Sequence, residues 1–113
     1  MPGDSVQLRV HKACWTASGG SYLVSYDADL ELIPGDTAIK IEVMSTRPTD
    51  ASAADVELAT QAIRRGVEAV LQPRGEGAVI RLREMAIHPI DFKPRRFEEF
   101  TTEGLLRTLA GRT

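Results

Sequence analysis

At 113 residues the chain has room for one domain and one modest core. Its 42% hydrophobic and 27% charged residues are close to ordinary globular usage, so disorder is not the default. The net charge of −2 argues against a generally basic nucleic-acid binder but not against a local basic patch, and no apolar run reaches the roughly 18 residues of a membrane span.

The first strand is expected where Val6, Leu8 and Val10 alternate with Gln7, Arg9 and His11. Ala17-Ser18-Gly19-Gly20 breaks it as a turn. A long second strand puts Tyr22, Val24, Tyr26, Ala28, Leu30 and Leu32 on one face and Ser25, Asp27, Asp29 and Glu31 on the other. Pro34-Gly35-Asp36 fits a type II turn, and Ile39, Ile41 and Val43 follow as the core side of a third strand, with Lys40 and Glu42 outward. These three strands read as an antiparallel meander. Arg47 to Asp50 ends it, and Ser52 with Asp55 resembles a capping box. Val56, Ala59, Ile63, Val67, Val70 and Leu71 recur at helical spacing until Gln72-Pro73 stops them. After a Gly75-Glu76-Gly77 loop, Ala78, Ile80 and Leu82 alternate with Val79, Arg81 and Arg83 in a fourth strand. Met85 to Pro94 reads as irregular. Phe97, Phe100, Leu105, Leu106 and Leu109 then suggest a closing helix that Gly104 weakens, with a break expected near Thr101 or Thr102.

The order is β-β-β-α-β-α. It predicts an α/β (α+β) two-layer sandwich of residues 1–113, with a four-stranded sheet covered by two helices on one face. The outer face, with acidic strand two beside Arg9, Lys40, Arg81 and Arg83, is expected to be solvated and laced by cross-strand ion pairs. The phosphate-binding glycine loop of nucleotide hydrolases is missing, and one cysteine with two histidines cannot assemble a zinc cluster. A lone Cys14 cannot close an internal disulfide, which fits a cytoplasmic setting. No metal, cofactor, nucleotide or membrane partner is expected.

Several residues admit a functional and a structural reading. His88-Pro89-Ile90-Asp91 could orient a general base, contact a partner from an exposed tip, or simply cap a turn; no nucleophile accompanies it in the sequence. Lys93, Arg95 and Arg96 form the most basic run, suited to phosphate or to the solvated start of a helix. Trp15 and Tyr22 flank the first turn and could stack on bases or cap the core. Cys14 is expected partly buried, and Arg64 and Arg65 are expected on a solvated helix face.

Two stretches carry a more specific likeness. Gly66-Val67-Glu68-Ala69-Val70-Leu71 leads to Ala78-Val79-Ile80-Arg81-Leu82, then to Ile87-His88-Pro89-Ile90-Asp91, with Phe97 six residues further on. Ser18-Gly19-Gly20 precedes the second strand. This resembles domain IV of translation elongation factor G, where a Gly-Ile/Val-x-Glu-Ala-Leu helix end enters a Val-x-Val-x-Leu strand and a His-x-Val-Asp loop. The resemblance implies the ribosomal-protein-like fold with a left-handed β-α-β crossover. It also implies a non-enzymatic module that meets ribosomal RNA or a translation complex through two tip loops. The matching positions are Ser18, Gly19 and Gly20 in the first loop and His88, Pro89 and Asp91 in the second. The family's glycine-glutamine element after the first loop is replaced by Ser21-Tyr22-Leu23, and its helix entry by residues 46–51. A protein-interaction or oligomerisation module on the same fold is the alternative expectation, favoured by the acidic second strand.

Overall fold

A computed structural model describes residues 5–17, 20–88 and 90–111. The strands are β1 (Ser5–Cys14), β2 (Tyr22–Pro34), β3 (Ile39–Val43), β4 (Thr46–Arg47), β5 (Glu76–Arg83) and β6 (Met85–Ala86), with helices α1 (Ala53–Leu71) and α2 (Pro94–Ala110). The main sheet has the order β1-β2-β5-β3, and β4 and β6 form a separate two-stranded ladder. α2 packs over β1 and β2 while α1 packs over β3 and β5, so one sheet face is covered and the other is open.

The alternating patterns predict the faces well. Val6, Leu8, Val10, Val24, Tyr26, Ala28, Leu30 and Leu32 are all buried beneath the helices, as are Ala78, Ile80 and Leu82. Each large apolar side chain so buried contributes about 1.5–3 kcal/mol. Ser52 caps α1, accepting from the Asp55 amide at 3.4 Å. A short 3₁₀ turn, Gln72–Arg74, ends it, and the loop beyond shrinks to Gly75 because Glu76 already pairs with Pro34.

The meander does not form. β1 and β2 are an antiparallel pair, but β3 runs parallel to β5, which lies between it and β2. Alternation specifies which side of a strand is buried, not which strand lies beside it, so both arrangements satisfy the same pattern. Here the chain after β2 crosses over the start of β5. The Gly35 amide donates to the Gly75 carbonyl at 2.9 Å and the Ala78 amide to the Ala38 carbonyl at 3.1 Å. A Cβ on Gly77 would collide with the carbonyl oxygens of both Asp36 and Ala38, so only glycine allows the crossing. As an edge strand β3 is only half covered: Ile39 is buried, Ile41 partly so, and Val43 exposed.

Three further expectations are corrected. α2 is continuous through Gly104, where a Cβ would meet Leu8 Cδ1 at 3.3 Å; the residue marks close approach of helix and sheet rather than a break. Leu106 points outward, 54% exposed. Arg64 is not merely solvated, since its guanidinium donates to the Ile39 carbonyl and ties α1 to β3, while Arg65 bridges to Glu98 on α2 at 2.8 Å.

Beneath α2, Tyr26 stacks near-parallel on Phe97 with centroids 6.3 Å apart, and its hydroxyl shares a 2.5 Å hydrogen bond with Thr101. Burial holds the Tyr26 hydroxyl well above the usual tyrosine range, partly offset by that bond.

Two outcomes follow. Gly77→Ala should lower the urea unfolding free energy by about 3 kcal/mol, because the clashing atoms are backbone; an unchanged midpoint would contradict the crossing. Above about pH 10 the unfolded chain ionises Tyr26 and the folded chain does not. The unfolded state then holds fewer protons, so stability falls as pH rises. Tyr26→Phe should cost about 1 kcal/mol at neutral pH and make that alkaline decline shallower; equal slopes would refute it.

Candidate nucleic-acid interface

The strand ends β1 and β2 and the segment joining β6 to α2 converge at one tip. The Leu23 amide donates to the Asp91 carbonyl at 3.1 Å, fixing the second loop to the start of β2. In the first loop Thr16 and Ser21 close a small ring: the Thr16 amide donates to Ser21 Oγ at 2.8 Å, Ser21 Oγ donates to the Thr16 carbonyl at 3.1 Å, and the Gly20 amide donates to Thr16 Oγ1 at 3.0 Å. Ser18, Gly19 and Pro89 lie outside the described residues.

His88 and Asp91 form a self-capping turn. The Asp91 amide donates to His88 Nδ1 at 3.2 Å, the Ile90 amide approaches the same atom at 3.4 Å, and the Asp91 carboxylate lies 3.3 Å from it. Asp91 is buried at 6% exposure, so its side chain positions the loop from beneath rather than meeting a partner directly. His88 stays half-open, with Trp15 edge-on at a centroid distance of 6.4 Å.

On the helix side of the tip, Gly20 lines a groove of about 370 Å³ with Lys93, Arg95, Arg96 and Glu99. The groove therefore carries three cations and one carboxylate. Glu99 pairs with Arg96 at 3.0 Å and with Arg95 at 3.5 Å, while Lys93 has no ion-pair partner among the described residues. Arg96 also lies 5.0 Å over the Tyr22 ring, and that ring tilts against Phe100. Tyr22 is thus both a core cap and a platform for a cation. The groove opens at the N-terminus of α2, where the helix dipole is positive. Glu99 offsets part of the charge of Arg95 and Arg96, and with Lys93 outside any ion pair among the described residues the concavity keeps an excess of positive charge.

On the open sheet side lies a second depression, of about 330 Å³, lined by Leu23, Ser25, Arg47, Pro48, Ala86, Ile87 and His88. The β4–β6 ladder builds it: the Ile87 amide donates to the Arg47 carbonyl at 2.9 Å and the Met85 amide to the Ser45 carbonyl at 3.2 Å. Glu84, at φ 52°, makes the bend from β5 into β6, with its amide on Ser45 Oγ at 2.9 Å. The sequence expectation missed Ser25 and Arg47 altogether. Part of the expected ion-pair ladder forms on the open face, with Arg83 to Asp29 at 3.2 Å and Arg81 to Glu42 at 3.5 Å, while Arg9 and Lys40 make no ion pair among the described residues. His11 lies across from Ser25 and contacts Asp27 at 2.9 Å.

A protein of Thermus thermophilus superposes on 97% of this chain with a TM-score of 0.66 at 12% identity. Homoserine kinase from Cytophaga hutchinsonii does so over 97% with a TM-score of 0.56 at 13% identity. The fold is a two-layer α/β sandwich. At such identities the likeness shows architecture alone, and this chain spans only 16% and 37% of those two proteins. No protein-family model and no curated protein sequence matches the chain. Among the described residues no helix is long and apolar enough to cross a membrane, and no cluster of His, Cys, Asp or Glu could hold a metal ion.

Proposed function

We propose that the chain is a non-enzymatic, domain-IV-like module that binds single-stranded regions of RNA, ribosomal RNA or a translation complex being the natural target, through its tip. The observation that carries this reading is the basic groove in which Gly20, from the first predicted loop, meets Lys93, Arg95 and Arg96, which follow the second. A groove of three cations and one carboxylate suits a phosphate backbone, on which cations displace condensed counterions. Trp15 and Ile90, 66% and 78% exposed, stand at the same tip and offer apolar surface for unstacked bases. The motif resemblance in Gly66–Leu71, Ala78–Leu82 and Ile87–Asp91 to elongation factor G domain IV supports the same direction, since it is that domain's tip that meets RNA.

The overall charge of −2 is compatible with this reading because the groove itself carries three cations against one carboxylate, Glu99. Asp29 and Glu42 are paired on the open sheet, and Asp91 is buried against His88.

Filter binding or anisotropy with a short single-stranded RNA tests it. Binding should be present at low salt, with affinity falling as salt rises. Lys93→Ala and Arg95→Ala should each reduce the salt slope by about 0.7. Absence of binding at low ionic strength, or slopes unchanged in both variants, would sink the proposal.

A further inference from the structure

The depression on the open side of the tip is chemically unlike the basic groove. Leu23, Pro48, Ala86 and Ile87 give it apolar walls, and its polar groups are Ser25, Arg47 and His88. The hydrogen-bonding state of those groups can be worked out from their partners.

Asp27, when ionised, only accepts, so His11 Nε2, 2.9 Å from it, carries the ring hydrogen. In the neutral ring Nδ1 is then an acceptor, and it lies 2.7 Å from Ser25 Oγ, which donates to it. In that tautomer Ser25 commits its only proton to His11 and is left as an acceptor. Arg47 behaves oppositely. Its guanidinium has no hydrogen bond or ion pair among the described residues, and it offers only donors. His88 Nδ1 is held by Asp91, whose amide lies 3.2 Å and whose carboxylate lies 3.3 Å away, so Nε2 is the ring nitrogen left for a ligand.

A slot with apolar walls, an acceptor at Ser25 and the guanidinium donors of Arg47 matches a flat ring bearing N–H donors and carbonyl or ring-nitrogen acceptors along one edge. We propose that this cleft binds a nucleobase, taken unstacked from the RNA whose phosphates enter the groove on the other side of the tip. The source of the base rests on the RNA-binding reading; the chemistry of the cleft uses none of the groove residues. Its volume, about 330 Å³, is at the lower end of small-molecule sites. Unstacked bases are commonly read through their hydrogen-bonding edge and packed on aromatic or apolar side chains, and Trp15 lies edge-on to His88 at the rim of the cleft.

Trp15 is the chain's single tryptophan, so its fluorescence reports on the cleft. The full chain is titrated with adenosine, cytidine, guanosine and uridine, which carry no phosphate. At least one should quench Trp15 saturably. Its affinity should fall about fivefold to tenfold in Ser25→Ala and in Arg47→Ala, and hold in Lys93→Ala, with circular dichroism confirming the fold of each variant. Absence of saturable quenching by every nucleoside would overturn the proposal, as would quenching indifferent to both cleft substitutions. RNA binding that depends on Lys93 without any nucleoside binding removes the cleft and leaves the groove reading standing. Nucleoside binding that depends on Ser25 and Arg47, without RNA binding, does the reverse.

Discussion

Everything at the tip depends on how closely α2 lies against α1 and the sheet. Gly66 sets that distance: a Cβ there would stand 2.8 Å from the Glu98 carbonyl oxygen and 2.9 Å from Thr101 Cβ. Helix α2 therefore seats directly on the backbone of α1, where Thr102 Oγ1 also reaches the Gly66 carbonyl at 3.3 Å. On its other side Thr101 meets the Tyr26 hydroxyl, locking α2 to the centre of β2. With both contacts made, α2 can neither slide nor rotate without losing a buried hydrogen bond and close packing. Its first turn is consequently delivered to the start of β2, where Arg96 covers Tyr22 and Asp91 binds the Leu23 amide. The groove is a consequence of helix packing, not of loop conformation alone.

The two sides of the tip then acquire different chemistry from the same sheet. Even-numbered β2 residues face the helices, so Tyr22 presents its ring to Arg96. Odd-numbered ones face outward, so Leu23 and Ser25 line the cleft built by Arg47 and His88. One strand thus separates a basic groove from a largely apolar cleft lined also by Ser25, Arg47 and His88. Of the acidic residues on the outer face of β2, Asp27 is hydrogen-bonded to His11 and Asp29 is ion-paired with Arg83. An exposed ion pair of this kind contributes little to stability, about 0.2–1 kcal/mol.

Much of this was legible in the sequence, within a definable limit. Hydrophobic alternation located the buried face of β1, β2 and β5, and the stripe of α1, because burial acts residue by residue along one element. It did not reveal that β5 separates β2 from β3, since neighbour order depends on the crossing over Gly77 and on α1 returning the chain parallel to β3. The two-residue β4–β6 ladder was beyond reach for the same reason: a pair of residues carries no periodicity. At the site, the basic run at Lys93 to Arg96 could be picked out by composition and Gly20 by the family resemblance, and the structure brings them together. Ser25 and Arg47 could not be. They lie far apart in the chain, on a face whose polarity reads as ordinary solvation, and they meet only through the ladder that aligns Arg47 with Ala86. His88 and Asp91 were visible as a motif, but their mutual capping gives Asp91 a positioning role that its polarity alone did not suggest.

The central claim is that nucleic acid meets this protein at the tip, with phosphates and bases on opposite sides of β2. Amide-resolved NMR titration of the intact chain with a short single-stranded RNA tests it most directly. The account predicts shift changes concentrated at Trp15, Gly20 to Ser25, Arg47, Ile87 to His88 and Lys93 to Arg96, with the Arg81–Glu42 and Arg83–Asp29 ladder unmoved. Changes centred on that ladder, or an unperturbed spectrum at saturating RNA and low salt, would contradict it.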